Sequence, residues 1–158
     1  MTEFVPPTPT LSFVFEACVL IGTPLDLGMV GGARKRIVPI TGGRVTGARF
    51  SGDVLPGGAD WQMLRPDGVL EASARYTVRA DDGSIVSIIN TGYRHGPADT
   101  LDQVAAGEMV DPALYYFRTT PRFEAPDESR HAWLNQSVFV CSAGRFSDRV
   151  SLRFFIVG

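Results

Sequence analysis

The sequence predicts an all-β fold, a single antiparallel β-barrel of about eight to ten strands with one short helix. Three observations predict it. Apolar and β-branched runs recur at roughly 10-residue spacing. Turn chemistry joins most of them, clearest at Ala80-Asp81-Asp82-Gly83, where glycine accepts positive φ. Only one segment carries apolar residues at helical spacing.

The elements follow in order. Residues 1–10 hold three prolines and read as an extended arm leading into the fold. Leu11–Ile21 is a long apolar run broken only by Ser12 and Glu16. Gly28-Met29-Val30-Gly31-Gly32-Ala33-Arg34-Lys35 is glycine-rich and cationic. It lacks the Gly-Lys-Ser/Thr ending of a phosphate-binding loop and precedes a strand, so it reads as a hairpin with solvated basic residues. Strands are expected at 36–40 and 44–52, then a turn through Pro56-Gly57-Gly58 into a short strand at 61–65. Pro66-Asp67-Gly68 is a further turn, and strands at 69–79 and 84–93 flank the hairpin turn. Pro97 to Gly107 places Ala98, Leu101, Val104 and Ala105 on one helical face, with Gly107 as the stop. Strands at 115–124, 133–141 and 150–157 complete the chain, with a polar loop at Asp127 and Glu128.

Size and composition bound the function. The 158 residues form one domain, large enough to bury about two-thirds of the unfolded surface. A formal charge of -2 with interspersed signs gives no basic stripe, so nucleic acid is not an expected partner. No apolar run is long enough to span a bilayer, and no membrane partner is expected. The first residues lack the basic head and apolar middle of an export signal, which makes the cytoplasm the expected location. Cys18 and Cys141 each sit inside an apolar strand candidate and read as small hydrophobes rather than a disulfide pair. The first and last strands are apolar on both faces, so their outer faces need a cover. The helix, the arm or a second subunit could supply it, and a homo-oligomer is the expectation.

Few residues invite chemistry. His95 and His131 are far apart with no ligand spacing around them, so no metal is expected, nor any cofactor. No strand-to-helix elbow presents a nucleophile. Residues 115–124 are the most informative, because alternation puts Arg118, Thr120, Arg122 and Glu124 on one face of an aromatic strand. That face looks either into water or into a polar cavity. Pro121 interrupts the strand and could mark a bulge. Arg75 belongs to the polar face of the 69–79 strand, either barrel exterior or cavity wall. Asp60, beside Trp61 at a strand start, is a candidate proton shuttle or simply a turn cap. Tyr93 and His95 form the strand-to-helix corner, where His95 could act as acid or base. Trp133 and Asn135, two apart on one expected strand, face the same side.

Taken together, Pro56-Gly57-Gly58-Ala59-Asp60-Trp61, Ala74-Arg75-Tyr76-Thr77, Tyr93-Arg94-His95-Gly96-Pro97, the 116–124 stretch and Trp133-Leu134-Asn135 resemble the bacterial domain-of-unknown-function family 3237. The resemblance spans nearly the whole chain in order. It implies a lipocalin-like antiparallel barrel with a central cavity, frequent self-association and no agreed activity. It also implies Asp60, Arg75, Arg118, Phe123, Trp133 and Asn135 as cavity residues.

Two functions are expected. In one, the barrel is a cofactor-independent enzyme acting on a small organic acid or aromatic, polyketide-like compound by isomerisation, hydration, cyclisation or lyase chemistry. Asp60 moves the proton with help from Tyr93 or His95. Arg118, paired to Asp60 or Glu124, and Asn135 hold the developing charge, and Trp61, Phe117, Phe123 and Trp133 form an apolar wall. In the other, the barrel is a non-catalytic carrier for an apolar acid, needing Arg118 and the aromatics but no proton donor.

Overall fold

The computed structural model describes residues 1–158. Residues 1–10 have no regular structure and lie exposed. Ten strands follow: β1 (Leu11–Ile21), β2 (Leu25–Val30), β3 (Ala33–Thr46), β4 (Gly52–Val54), β5 (Gly58–Leu64), β6 (Leu70–Ala80), β7 (Ile85–His95), β8 (Tyr116–Glu124), β9 (Phe139–Arg145) and β10 (Arg149–Val157). Eight of them close an antiparallel ring in the order β1-β10-β9-β8-β7-β6-β5-β3 and back to β1. β2 extends β3 beyond the ring and β4 bridges β3 and β6. The single α-helix, α1 (Ala98–Ala105), is eight residues long, and no helix is long and apolar enough to cross a membrane.

The expected 36–40 and 44–52 strands are one strand, β3, which ends at Thr46. It turns the corner at Gly42 and Gly43, where φ is positive and a Cβ on Gly43 would lie 2.1 Å from the Cys18 carbonyl oxygen. The expected 133–141 strand is corrected. A 3-10 turn occupies Ala132–Asn135 and β9 begins only at Phe139. The Asn135 amide explains the early turn, accepting from the Ala125 amide and donating to the Ala125 carbonyl, both at 2.8 Å. Pro121 marks no bulge, since its register with Asn90 is unbroken. β9 pairs β8 only at Arg118 and Thr119, so the ladder on that side has ended before the proline.

The barrel interior has two unlike ends. One is an aromatic plug. Phe15 stacks on Phe154 at 4.6 Å and meets Phe50 and Phe123 edge-on, and Phe139 packs on Phe123 at 4.9 Å. His131 and Leu134 are buried in the same layer, with His131 5.3 Å from Phe50. Toward the other end, the inward rows run Asp60–Ala74–Asn90–Pro121 and Gln62–Ala72–Gly92–Thr119–Cys141. Ala72, Ala74 and Gly92 contribute almost no volume, which leaves space for polar side chains from their neighbours. The segment after β7 lies against this end, with Pro112 against Gly144 and the Tyr115 hydroxyl accepting from the Arg145 amide at 2.8 Å.

Outside, Phe13 of β1 meets Phe155 of β10 edge-on at 5.9 Å, and the Arg153 guanidinium lies over both rings. Leu11 and Leu20 remain exposed, and the arm does not cover them.

Candidate functional site

Strand parity decides which groups meet. On β8 the buried residues are Phe117, Thr119, Pro121 and Phe123, and the exposed ones are Tyr116, Arg118, Thr120, Arg122 and Glu124. Arg118 therefore faces outward, its Nη1 donating to the Phe117 carbonyl at 3.0 Å and its guanidinium 5.5 Å from the Tyr116 ring. Asp60 points inward, so the sheet itself separates the two groups expected to converge. The physical reason is the period of two: Phe117 and Phe123 supply core, and the alternate residues must face water.

The other candidates divide the same way. Arg75, His95 and Glu124 are on the outer face, with His95 stacked on Tyr116 at 4.6 Å. Trp61, Tyr93 and Arg118 come together in an outer trough of about 820 Å³, floored by Ser73, Thr91 and Thr120. Phe117 lies inside at the polar end, and Phe123 belongs to the aromatic plug. Trp133 is half-buried, 6.0 Å from Phe139 and under the Arg49 guanidinium at 3.8 Å. Asn135 spends its amide on the Ala125 backbone, as described above.

The inner site is built around Asp60. Its Oδ2 accepts from Gln62 Nε2 at 2.7 Å and its Oδ1 from the Ser73 main-chain amide at 2.8 Å. Gln62 in turn accepts from Arg36 Nε. Burial pushes the Asp60 carboxyl above the ordinary carboxylate range, although the hydrogen bonds from Gln62 and Ser73 and the charges of Arg94 and Arg36 pull the other way. Desolvation wins because no arginine lies in salt-bridge contact with it.

Around that carboxyl gathers a set of groups that the sequence reading missed. Arg94 is 8 % exposed, and burial, then repulsion from Arg36 and Arg145, holds its guanidinium down to about 10. Arg36 and Arg145, each partly buried, are lowered in the same direction, chiefly by burial. The Tyr76 hydroxyl, Asn90 Oδ1, Arg94 Nη1 and Thr119 Oγ1 are buried with no protein partner. A cavity of about 50 Å³ lies among Asp60, Gln62, Tyr76, Asn90, Thr119 and Arg145. The signal that could have found them is parity: Asn90 and Arg94 are in phase with Val86 and Ile88 on β7, and Thr119 is in phase with Phe117 and Phe123. Polar groups in phase with core residues are inside.

A buried carboxyl of raised pKa, beside unpaired donors and acceptors, is equipped to hold or move a proton and to fix an oxygen substituent. Comparison with known proteins shows what the chain as a whole is similar to. A UPF0311 protein from Rhodopseudomonas palustris is 46% identical over 145 residues, covering 90% of this chain and 94% of its own. The crystal structure of a conserved protein of unknown function from the same species superposes with a TM-score of 0.93 at 42% identity, covering 97% of this chain and all of that one. A protein of Penicillium herquei described as a hydroalkoxylation enzyme is 29% identical over 83 residues, covering 52% of this chain and 55% of its own. The crystal structure of an enzyme from that fungus shares the fold, with a TM-score of 0.73 at 19% identity and coverage of 99% of this chain and all of that one. Residues 9–157 match the family profile described as protein of unknown function (DUF3237), and the chain belongs to that family.

Proposed function

We propose that this barrel is a cofactor-independent acid–base enzyme, acting on a small organic acid or an aromatic, polyketide-like compound whose polar group enters the inner site. The observation that carries the proposal is Asp60, a sequestered carboxyl with raised proton affinity, oriented by Gln62 and the Ser73 amide. Its neighbours Asn90, Thr119 and Tyr76 present polar atoms that nothing in the chain satisfies. Buried polar atoms are normally paired, so these are free to take a hydrogen bond from a guest.

The chemistry this supports is proton transfer with no change of oxidation state. Addition of an O–H across a carbon–carbon double bond is one example, and the distant fungal relative is described by that name. Protonated Asp60 gives its proton to one alkene carbon as the π bond breaks. The hydroxyl oxygen bonds the other carbon, and the hydroxyl proton returns to Asp60. Atoms and electrons balance, so no cofactor is needed. Hydration, isomerisation and the reverse elimination use the same two proton transfers.

A carrier function has one observation in its favour, the outer trough, whose roughly 820 Å³ is within the size range of small-molecule sites. Trp61, Tyr93, Tyr116 and Arg118 would hold an aromatic acid there without any proton donor. We also propose that a second copy of the chain covers the apolar outer surface near β2, where Leu25, Leu27 and Met29 are exposed.

The deciding experiment uses alkenyl phenols and unsaturated hydroxy acids as probes in deuterated water, with turnover and carbon-bound deuterium followed by NMR. Asp60→Asn is expected to lose at least about 100-fold in turnover, the usual worth of a general acid or base, while ligand affinity stays within a few-fold. Full turnover in Asp60→Asn removes Asp60 from the mechanism. Saturable binding without turnover in the wild type, lost only on Trp61→Ala, establishes the carrier.

A further inference from the structure

The inner site carries an imbalance of charge that its own residues do not resolve. Arg36, Arg94 and Arg145 converge on it, and Asp60 is the only carboxylate that faces them from within the barrel. None of the three guanidiniums makes a salt bridge within 4 Å to any carboxylate. Arg36 spends its Nε on Gln62, Arg145 one Nη1 on the Phe146 carbonyl, and Arg94 keeps a buried Nη1 with no partner. Exposed Asp26 and Asp148 reach Arg36 and Arg145 only at a distance, and Asp60 has raised proton affinity, so the cluster keeps an excess of positive charge. A folded chain does not retain buried, unpaired cations cheaply, because desolvation is repaid only by a close counter-charge. Water in the cavity would satisfy hydrogen bonds but not the charge.

We infer that the polar end of the barrel binds the carboxylate of an organic acid, with Arg145 making the first contact and Arg94 and Arg36 supplying the surrounding positive field. Arg145 lines the cavity directly and is partly exposed, so it stands where an entering anion meets the barrel. The cavity of about 50 Å³ admits a head group and not a whole substrate. A carboxylate suits it because a planar guanidinium fork pairs with two oxygens at once. The body of the acid then lies toward Ile21, Val38 and Val150, the apolar side of the same opening. This inference rests on placing the substrate at Asp60's end of the barrel, but its test reads binding and not turnover.

The probes are benzoate and its neutral isostere benzamide, titrated by calorimetry and by thermal shift at constant ionic strength. Benzoate is expected to bind saturably and raise Tm, and benzamide to do neither. Arg145→Met should weaken benzoate at least tenfold, whereas Arg118→Met, in the outer trough, should leave it within twofold. Arg94→Met should also weaken benzoate and raise the Tm of the ligand-free protein. Should either variant fail to fold, 15N shifts of arginine Nε–Hε groups in the wild type report whether benzoate reaches a buried guanidinium. Equal binding of benzamide, unchanged benzoate affinity in Arg145→Met, loss confined to Arg118→Met, or no saturable benzoate binding would each overturn the inference. Failure here with Asp60→Asn still inactive condemns only the substrate class, and the converse condemns only the proton carrier.

Discussion

At the scale of single residues, Asp60 determines how stability depends on pH. Its carboxyl is pushed up by burial, so the native state holds a proton that the unfolded chain releases at about 3.9. Between those two values the native state binds more protons, and stability rises as pH falls through the window. Asp26, Asp67 and Asp82 have the opposite sign. Arg34, Arg65 and the Ser84 amide hold them below the ordinary carboxylate range, so their contribution is lost only as pH falls below it. The wild type is therefore expected to gain urea stability as pH falls toward the ordinary carboxylate range and to lose it as pH falls below that range. Asp60→Asn should abolish the gain and keep the loss. Urea midpoints across pH 3.5–8 measure this directly; an identical slope in both proteins would mean that the Asp60 carboxyl titrates normally. The same residue shows what the sequence could not reveal. Its side chain was legible as a candidate because it sits beside Trp61, yet Trp61 faces out and Asp60 faces in, so adjacency in sequence meant opposite sides of the sheet.

At the scale of elements, what was legible followed from turn chemistry and period, and what was not followed from competition by side chains. The β6–β7 hairpin is where Ala80-Asp81-Asp82-Gly83 places it, with Gly83 at φ 89° and Asp82 Oδ1 accepting from the Ser84 amide. α1 ends before Gly107, at φ 78°, for the same reason. The 133–141 stretch misled because Trp133 and Leu134 are apolar and strand-like in composition, whereas Asn135 holds a 3-10 turn through two bonds to Ala125. A side chain that replaces a strand partner leaves no period to read. Asn135 is therefore a structural amide. Asn135→Ala leaves the Ala125 amide and carbonyl without their partner and is expected to cost about 1–3 kcal/mol of stability. Benzoate binding should be unchanged, since the aromatic plug separates this turn from the polar end. Loss of binding at unchanged stability would return Asn135 to the ligand site, where its spacing from Trp133 first suggested it.

At the scale of the whole molecule, ring closure gives every strand but β2 a partner on each side. β2 pairs only with β3, so its far edge presents unsatisfied main-chain groups, and it carries Leu25, Leu27 and Met29 largely exposed beside Trp61. An apolar edge strand left open is a pairing surface that proteins normally cover. The sequence argument placed the subunit contact on β1 and β10, but there Arg153 already shields Phe13 and Phe155. The balance of exposed apolar surface thus favours β2 and the neighbouring face of β5, meeting the same face of a second copy across a two-fold axis, since an isologous contact needs only one self-complementary patch. If dimerisation is coupled to folding, each hundredfold dilution should lower apparent stability by about 2.7 kcal/mol. Tm is accordingly expected to fall as protein is diluted from the micromolar to the nanomolar range. Leu27→Glu, which puts a carboxylate on the exposed edge, should give a monomer by analytical ultracentrifugation. Arg153→Glu, on the β1–β10 face, should leave the oligomeric state intact. A Tm independent of concentration would show a monomer, and monomerisation by Arg153→Glu alone would move the contact back to the terminal strands.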